Sequence, residues 1–332
     1  MRYLLRRFVQ GIFILLGVSM ITFFLPTLYF SPLALAIQVL GHNRTGSTAY
    51  HIWATQHGLY RPIYERYWSW LDGVLHGNFG ISYTNSNRYH TVTVNEVLGG
   101  NIWRSVWLVT IPTIASILIA IPIGLTQAMR RNKPYDHIMT TGVYVLYSTP
   151  AVLVCILLAF YFAIKLHIGT VGVNPLAQQQ SPSQFPGFML HNWTQFLLPF
   201  AAILFLSIGG LSRYMRGSAL DTLVQDYVRT ARAKGASPAR VLFRHVLRPS
   251  VIPLLQIVGL TLPAIIGGAL IVEDIFNFPG MGLLAVQSVE MGDFNTVLAI
   301  TLFTAVLTVV GNLLADVLTA AADPRIRLGA RI

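Results

Sequence analysis

Six stretches of this sequence carry no Asp, Glu, Lys or Arg, and each is at least 20 residues long: Phe8–Phe30, Ser105–Met129, Ile138–Ile164, Trp193–Ser212, Pro249–Val272 and Phe294–Ala315. At 1.5 Å per helical residue, such a run covers a hydrocarbon layer roughly 30 Å thick. Buried helices of a water-soluble core are the competing explanation, and composition removes it. Of 332 residues, 54% are hydrophobic and only 11% are charged, against about 25% charged in a soluble domain. Too little polar surface remains to dissolve six buried helices. The chain reads as an all-α integral membrane protein with six transmembrane helices.

The first run follows Arg2, Arg6 and Arg7, as the apolar part of a signal peptide would. Its 23 residues are long for a leader, and bulky Phe24-Leu25-Pro26 stands where small residues would be cleaved. It reads as an uncleaved first helix. The single cysteine, Cys155, excludes an intramolecular disulfide. It lies in an apolar run, where a thiol behaves as a small hydrophobe.

Orientation follows from Lys and Arg. A cytoplasmic N-terminus places 17 of the 23 inside: Arg2, Arg6 and Arg7; Arg130, Arg131 and Lys133; eight from Arg213 to Arg248; and Arg325, Arg327 and Arg331. The two shorter outer loops hold only Lys165. The long first outer loop holds the other five, and long loops weigh little in orientation. Both termini are therefore expected in the cytoplasm. The same bias accounts for the net charge of +11 without nucleic acid as a partner.

The outer loops differ. Residues 31–104 contain apolar positions at Ile63, Tyr67, Trp70 and Val74, one helical face, with Pro62 suited to the first turn. An amphipathic helix with Trp and Tyr fits a membrane–water interface, packed on the outer ends of the spans or offered to an external partner. Loop two, Lys165–Asn192, is rich in Gln, Ser and Pro and reads as irregular. Loop three, Glu273–Asp293, carries four acids and no Lys or Arg. Pro26, Pro112, Pro122, Pro150, Pro199 and Pro263 lie inside spans and mark candidate bends. Gly209-Gly210 and Gly267-Gly268-Ala269 would let helices approach closely.

The most informative stretch is the basic connector between spans four and five. Gly235 suits the residue after a helix ending at Lys234. Ser237 suits an N-cap and Pro238 the first turn of the next helix, and Pro249 starts span five. This predicts a helix–turn–helix hairpin over about 219–248, with its signature in 225–248. On its second helix, Leu242, His245 and Val246 share one side, and Arg240, Arg244 and Arg248 another. A basic stripe beside an apolar face could lie on anionic headgroups or form a rigid knob for a cytoplasmic protein, and composition does not decide between them.

Residues 225–249 resemble the "EAA" loop of permeases in ATP-binding-cassette importers, with Ala231 and Gly235 at its small positions. "YVRTARAKG" and "HVLRPSVIP" resemble the dipeptide/oligopeptide permease family more closely. So do "RPIYERYWSWLDGVLHGNFGISY" (Arg61–Tyr83), the Glu273–Gly282 run "EDIFNFPGMG", and Asp323-Pro324-Arg325. The four matches are ordered along nearly the whole chain. Departures stand at Phe30-Ser31-Pro32, where the family commonly has Gly-Asp-Pro; at Asn78, commonly Asp; and at Trp103-Arg104-Ser105, where Pro-x-Thr is usual.

The resemblance implies a type I ABC importer permease-like architecture: an N-terminal segment with helix one (1–30), an external loop (31–104) and a core permease domain (105–332). It implies a sister permease in a heterodimer, two cytoplasmic ATPase subunits that bind ATP and Mg, an external substrate-binding protein and a seat in the inner membrane. The coupling residues would be Arg229, Thr230, Ala231, Arg232, Lys234, Gly235, Ser237, Pro238 and Arg240, with Arg229, Arg232 and Lys234 pairing with ATPase acids. Glu273, Asp274, Pro279, Gly280 and Gly282 would form the external gate or binding-protein side. The implied cargo is di- to oligopeptides; nickel, glutathione and opine systems use similar permeases.

This chain is expected to hold no cofactor and no catalytic site. No Gly-Lys dipeptide occurs, hence no G-x-x-x-x-G-K phosphate loop. His42, His51 and His57 lack zinc spacing. A secondary transporter or channel would keep ionisable residues inside the membrane. The six apolar runs hold none, with Asp316 just past the sixth. A membrane enzyme would need a polar constellation near one interface, and none stands out.

Overall fold

A computed structural model describes residues 2–29, 60–82, 91–254 and 269–322, with single positions at 52, 55, 58 and 257. Helix α1 spans Arg2–Tyr29 and α2 spans Ile63–Leu75. Strands β1 (Ile81–Ser82) and β2 (Val92–Thr93) pair antiparallel, Ile81 opposite Thr93. This two-residue ribbon is a local addition to an otherwise helical chain. Helix α3 then runs Val94–Met129.

Helix α4 (Pro134–Ser148) and α5 (Ala151–Leu158, continuing as a π-helix over Ala159–Lys165) follow. A 3-10 turn at Pro175–Gln179 and helix α6 (Phe185–His191) order the loop read as irregular. Next come α7 (Trp193–Leu223), α8 (Asp226–Ala233) and α9 (Pro238–Arg240, continuing as a π-helix over Val241–Val246). Helices α10 (Leu270–Ile275), α11 (Met281–Glu290) and α12 (Phe294–Ala322) complete the described chain.

Among the described residues, α3, α7 and α12 are long and apolar enough to cross a bilayer, and α4 with α5 makes a fourth, bent candidate. The bend is 101° and falls at Pro150, one of the candidate bends inside the run 138–164. Its cause is local: Pro150 has no N–H to give the helix, and the residue before a proline is pushed out of the helical region. Thr149 accordingly sits at φ −77°, ψ 126°. In α1 the apolar part is shorter, Val9–Phe24. Most of the fifth run, with Pro263, Gly267 and Gly268, lies outside the described residues, as do His42, His51, His57, Ser31, Pro32 and Asp323-Pro324-Arg325.

The apolar hull points outward: Phe13, Leu118, Ile138 and Val145 are all at least 60% exposed, which water would oppose and lipid does not. Helix α3, about 54 Å long at 1.5 Å per residue, is the axis. It runs parallel to α7: Ser116 Oγ donates to the Leu204 carbonyl at 3.3 Å, and Gly124 lies against Met215 further along both. A Cβ on Gly124 would stand 2.6 Å from Met215 Cβ, so this crossing requires glycine. Gly209 lies against the Tyr147 backbone, seating α4 on the other side of α7. The Asp136 carboxylate takes a bidentate pair from Arg216 Nε and Nη2, both at 2.9 Å, which ties the same two helices nearer α3's C-terminus.

Helices α1 and α12 run antiparallel, with Gly11 on Val309 and an Arg7–Asp316 ion pair of 3.3 Å. Asp316 is thus within the sixth helix, which continues past the predicted end. Helix α2 docks on this pair through Tyr67, Leu71, Phe23 and Leu298, and the Tyr67 hydroxyl lies 2.8 Å from Ser19 Oγ. Tyr67, Trp70 and Val74 of the expected line are covered, with Leu71 beside them, and Ile63 alone of that line is exposed.

Candidate functional site

The connector folds as the predicted hairpin, and its corner is fully hydrogen-bonded. Helix α8 ends in a Schellman motif: the Ala236 N–H donates to the Ala231 carbonyl at 3.1 Å and the Gly235 N–H to Arg232 at 2.9 Å. Gly235 has φ +79°, a conformation open to glycine at no steric cost. Ser237 then caps α9, its side chain accepting the Arg240 N–H at 3.4 Å, with Pro238 in the first turn. Two short helices are thus held at one angle by backbone chemistry.

The foot of the hairpin is apolar. Val228, Val241, Val246 and Leu254 are buried with Leu125 and Ala128 of α3 and Met215 and Ala219 of α7. The π turn sets which residues face inward. Val241 and Val246, five apart, are buried, whereas Leu242 and His245 of the expected α-helical face are half-buried. Ser250 Oγ donates to Thr222 Oγ1 at 3.1 Å and ties the helical residues 247–254, which continue from the hairpin, to α7.

What projects is basic. Arg229, Thr230, Arg232, Lys234, Gly235, Ser237, Pro238 and Arg240 are exposed and Ala231 is half-buried, so one protrusion gathers all nine predicted residues. Arg229 meets Asp226 at 3.8 Å, both exposed, a pair of little energetic weight. Of the eight basic residues counted in this connector, two turn away from the tip. Arg216 is held by Asp136, and Arg213 lies over the rings of Tyr144 and Tyr147 at 5.8 and 5.3 Å.

The second predicted group lies at the opposite end of α3 and divides. Glu273 is wholly buried. Its Oε2 accepts the Gly282 and Leu283 N–H groups at 2.6 and 3.1 Å, capping α11 from α10, and its Oε1 accepts Ser105 Oγ at 2.7 Å. Ser105 Oγ accepts the Met281 N–H at 2.7 Å. Arg104 braces the same turn, donating from Nε to the Pro279 carbonyl at 2.6 Å, from Nη1 to the Gln178 carbonyl at 3.2 Å and from Nη2 to Asn101 at 2.9 Å.

A Cβ on Gly280 would stand 2.5 Å from Glu273 and Ser105, and one on Gly282 2.5 Å from Leu270 Cα. Glu273, Pro279, Gly280 and Gly282 therefore form one knot, and Asp274 stays exposed outside it. Burial pushes the Glu273 carboxyl up to about 7, against the Ser105 hydroxyl, the two amides and the Arg104 charge, which favour ionisation.

Arg104 and Ser105 belong to this knot although the sequence marked them only as a departure and as the start of an apolar run. Helix α3 begins eleven residues before that run, at Val94, because Thr93 caps it by accepting the Glu96 N–H. An arginine at the border of an apolar run was the available signal; its partners lie up to 175 residues away. The Arg104–Glu273 neighbourhood borders the apolar runs at 105 and 272 without entering them. Its donors and acceptors are engaged in holding a turn.

Comparison with known proteins identifies the family. Residues 120–328 match the family described as binding-protein-dependent transport system inner membrane component, and residues 1–91 match its N-terminal companion. The oligopeptide transport system permease protein AppB of Bacillus subtilis is 33% identical over 98% of this chain and 98% of its own length. The oligopeptide permease OppB of Mycobacterium tuberculosis is 33% identical over 98% and 99%. The glutathione transport system permease protein GsiC of Salmonella typhi is 32% identical over 82% of each. With family matches at both ends and relatives aligned almost end to end, the chain belongs to the binding-protein-dependent transport system inner membrane components, multi-pass permease subunits of the cytoplasmic membrane.

Proposed function

We propose that this chain is the permease subunit of a peptide importer, passing di- to oligopeptides delivered by an external binding protein. A sister permease completes the pathway as a heterodimer. The chain crosses the membrane six times, both termini are cytoplasmic, and the α8–α9 hairpin faces two ATPase subunits that hold ATP and Mg. Cargo follows the relatives named for oligopeptides; the glutathione permease relative makes a small γ-linked peptide the second reading.

The observation that carries the proposal is the hairpin itself: a hydrogen-bonded corner, an apolar foot seated on α3 and α7, and an exposed basic tip. Such a part transmits a push because it does not deform, and its foot rests on the two helices that form the axis. Glu273, Pro279, Gly280 and Gly282 brace the external side, with Asp274 free to meet the binding protein.

Gly235 separates coupling from folding. A Cβ there meets nothing within 4 Å of this chain, so bulk at this position is felt by a partner. Gly235→Asn tolerates the left-handed backbone and retains ATP-driven peptide uptake in vesicles holding the complex. Gly235→Trp inserts normally and loses uptake. Uptake by Gly235→Trp equal to that of Gly235→Asn would refute the coupling role. A competitor panel containing glutathione and nickel assigns the cargo.

A further inference from the structure

Helix α4 presents three different faces, each a line of residues three or four apart. The first meets protein. Asp136 and Val143 are buried, Thr140 is half-buried, and the Tyr147 backbone lies against Gly209 of α7. The second, Ile138, Gly142 and Val145, is exposed and apolar and joins the hull. The third, His137, Thr141, Tyr144 and Ser148, is exposed at every position and polar at every position. At 3.6 residues per turn, the third line stands about 100° round the helix from the second. One helix thus shows the outside two surfaces of opposite character.

Position makes the contrast informative. Thr141, Tyr144 and Ser148 all lie inside the charge-free run that starts at Ile138. Ser148 is about 15 Å along the helix from that start, half the thickness of a hydrocarbon layer. Arg213 of α7 joins the same side. It follows the apolar run that ends at Ser212, and its guanidinium leans back over the rings of Tyr144 and Tyr147 at 5.8 and 5.3 Å. It is exposed and has no acidic partner among the described residues. Acyl chains do not cover such a surface cheaply. Polar and charged side chains within membrane helices turn to a bundle interior or to a water-filled cavity. The interior of this chain is already met by the first face of α4, which leaves water for the third.

We propose that the His137–Thr141–Tyr144–Ser148 line borders the water-filled translocation path, and that Arg213 makes this stretch of the path favour anions. In the importer, those anions are the carboxylates of the passing peptide. The cargo rests on the function proposed above; the water-facing line and its preference for anions do not.

Thr141→Cys, Ser148→Cys, Ile138→Cys and Val145→Cys are each placed in the assembled complex in nanodiscs, and adducts on this chain are read by mass spectrometry. The reagents are charged methanethiosulfonates, one anionic (sulfonatoethyl) and one cationic (trimethylammonioethyl). The buried Cys155 of the parent protein sets the background. Thr141→Cys and Ser148→Cys react about tenfold or more faster than Ile138→Cys and Val145→Cys, whose thiols stay neutral in apolar surroundings. At Thr141→Cys the anionic reagent gains about fivefold over the cationic one, relative to their ratio on free cysteine, the effect of one nearby cation on reagents of opposite sign. Arg213→Gln, added to Thr141→Cys, removes that gain and leaves the thiol reactive. If neither Thr141→Cys nor Ser148→Cys is modified, with or without a non-hydrolysed ATP analogue, the line is covered by the sister subunit or by lipid and the proposal is overturned. Equal rates on the polar and apolar lines, or a preference for the anion that survives Arg213→Gln, overturn it equally. Access is read without transport, so a complex that reacts as expected but takes up no peptide refutes the cargo alone.

Discussion

At its Ser105 end, α3 is held by polar atoms: a buried carboxylate, a hydroxyl, a guanidinium and the amides of a helix start, all within one turn of backbone. About 35 Å away at its Ala128 end, the same helix is held by apolar side chains under a basic corner whose hydrogen bonds are all local. The first end is built from partners 168 and 175 residues apart; the second takes its geometry from a few consecutive residues. Long-range polar closure is intolerant of added volume and sensitive to protonation. Local closure on an apolar foot tolerates surface change and yields stability in small steps.

The largest effect expected from this contrast is steric. Gly280→Ala and Gly282→Ala drive a Cβ into Glu273 and Ser105 or into the Leu270 backbone, and each costs about 3 kcal/mol or more. Thermal unfolding of the purified chain in detergent reads this as a large fall in Tm. An unchanged Tm would mean that α11 can slide, and the polar end would not be rigid.

The next is a pH effect confined to the same end. The folded Glu273 carboxyl, at about 7, lies above its ordinary value of 4.5, so the folded chain holds the proton more tightly than the unfolded chain. Stability therefore falls as pH rises from about 4.5 to about 7, by up to about 3 kcal/mol, and is level beyond. Glu273→Gln removes this slope. Parallel unfolding curves for both proteins across that window would break the comparison.

Asp136→Asn is expected to cost about 2 kcal/mol, less than a fully buried pair, because the Arg216 side chain keeps 28% exposure. It loosens α4 from α7 beside the hairpin, and double-mutant analysis with Arg216→Gln gives the coupling between them. Smallest is Ser237→Ala. Its cap is long, 3.4 Å, and exposed, so about 0.5 kcal/mol is lost. A larger loss would show that the corner depends on Ser237 more than on the Schellman bonds around Gly235.

Both ends were named in the sequence, for different reasons. The hairpin was legible from Gly235, Ser237 and Pro238, because cap chemistry is written in adjacent residues. Its inward face was read in part: Val246 is buried as expected, but Val241 is buried in place of Leu242 and His245, since a π turn leaves no period in the residues. At the other end, resemblance marked Glu273, Pro279, Gly280 and Gly282, but nothing adjacent to them pointed to Ser105 or Arg104. The bend at Thr149-Pro150 was foreseeable as a proline position. Pro112 and Pro122 stay inside an unbroken α3, so a proline alone does not set the angle.

The sequence by itself determined the solvent, the apolar helices and the hairpin corner, because hydropathy, helix caps and positive-φ glycine act over a few residues. Tertiary structure alone decided that Glu273 and Ser105 together cap α11 and that Asp136 takes one of the connector's arginines. Each of these joins groups scores of residues apart, and only the packing of α3 against α7, α10 and α11 brings them within hydrogen-bond reach.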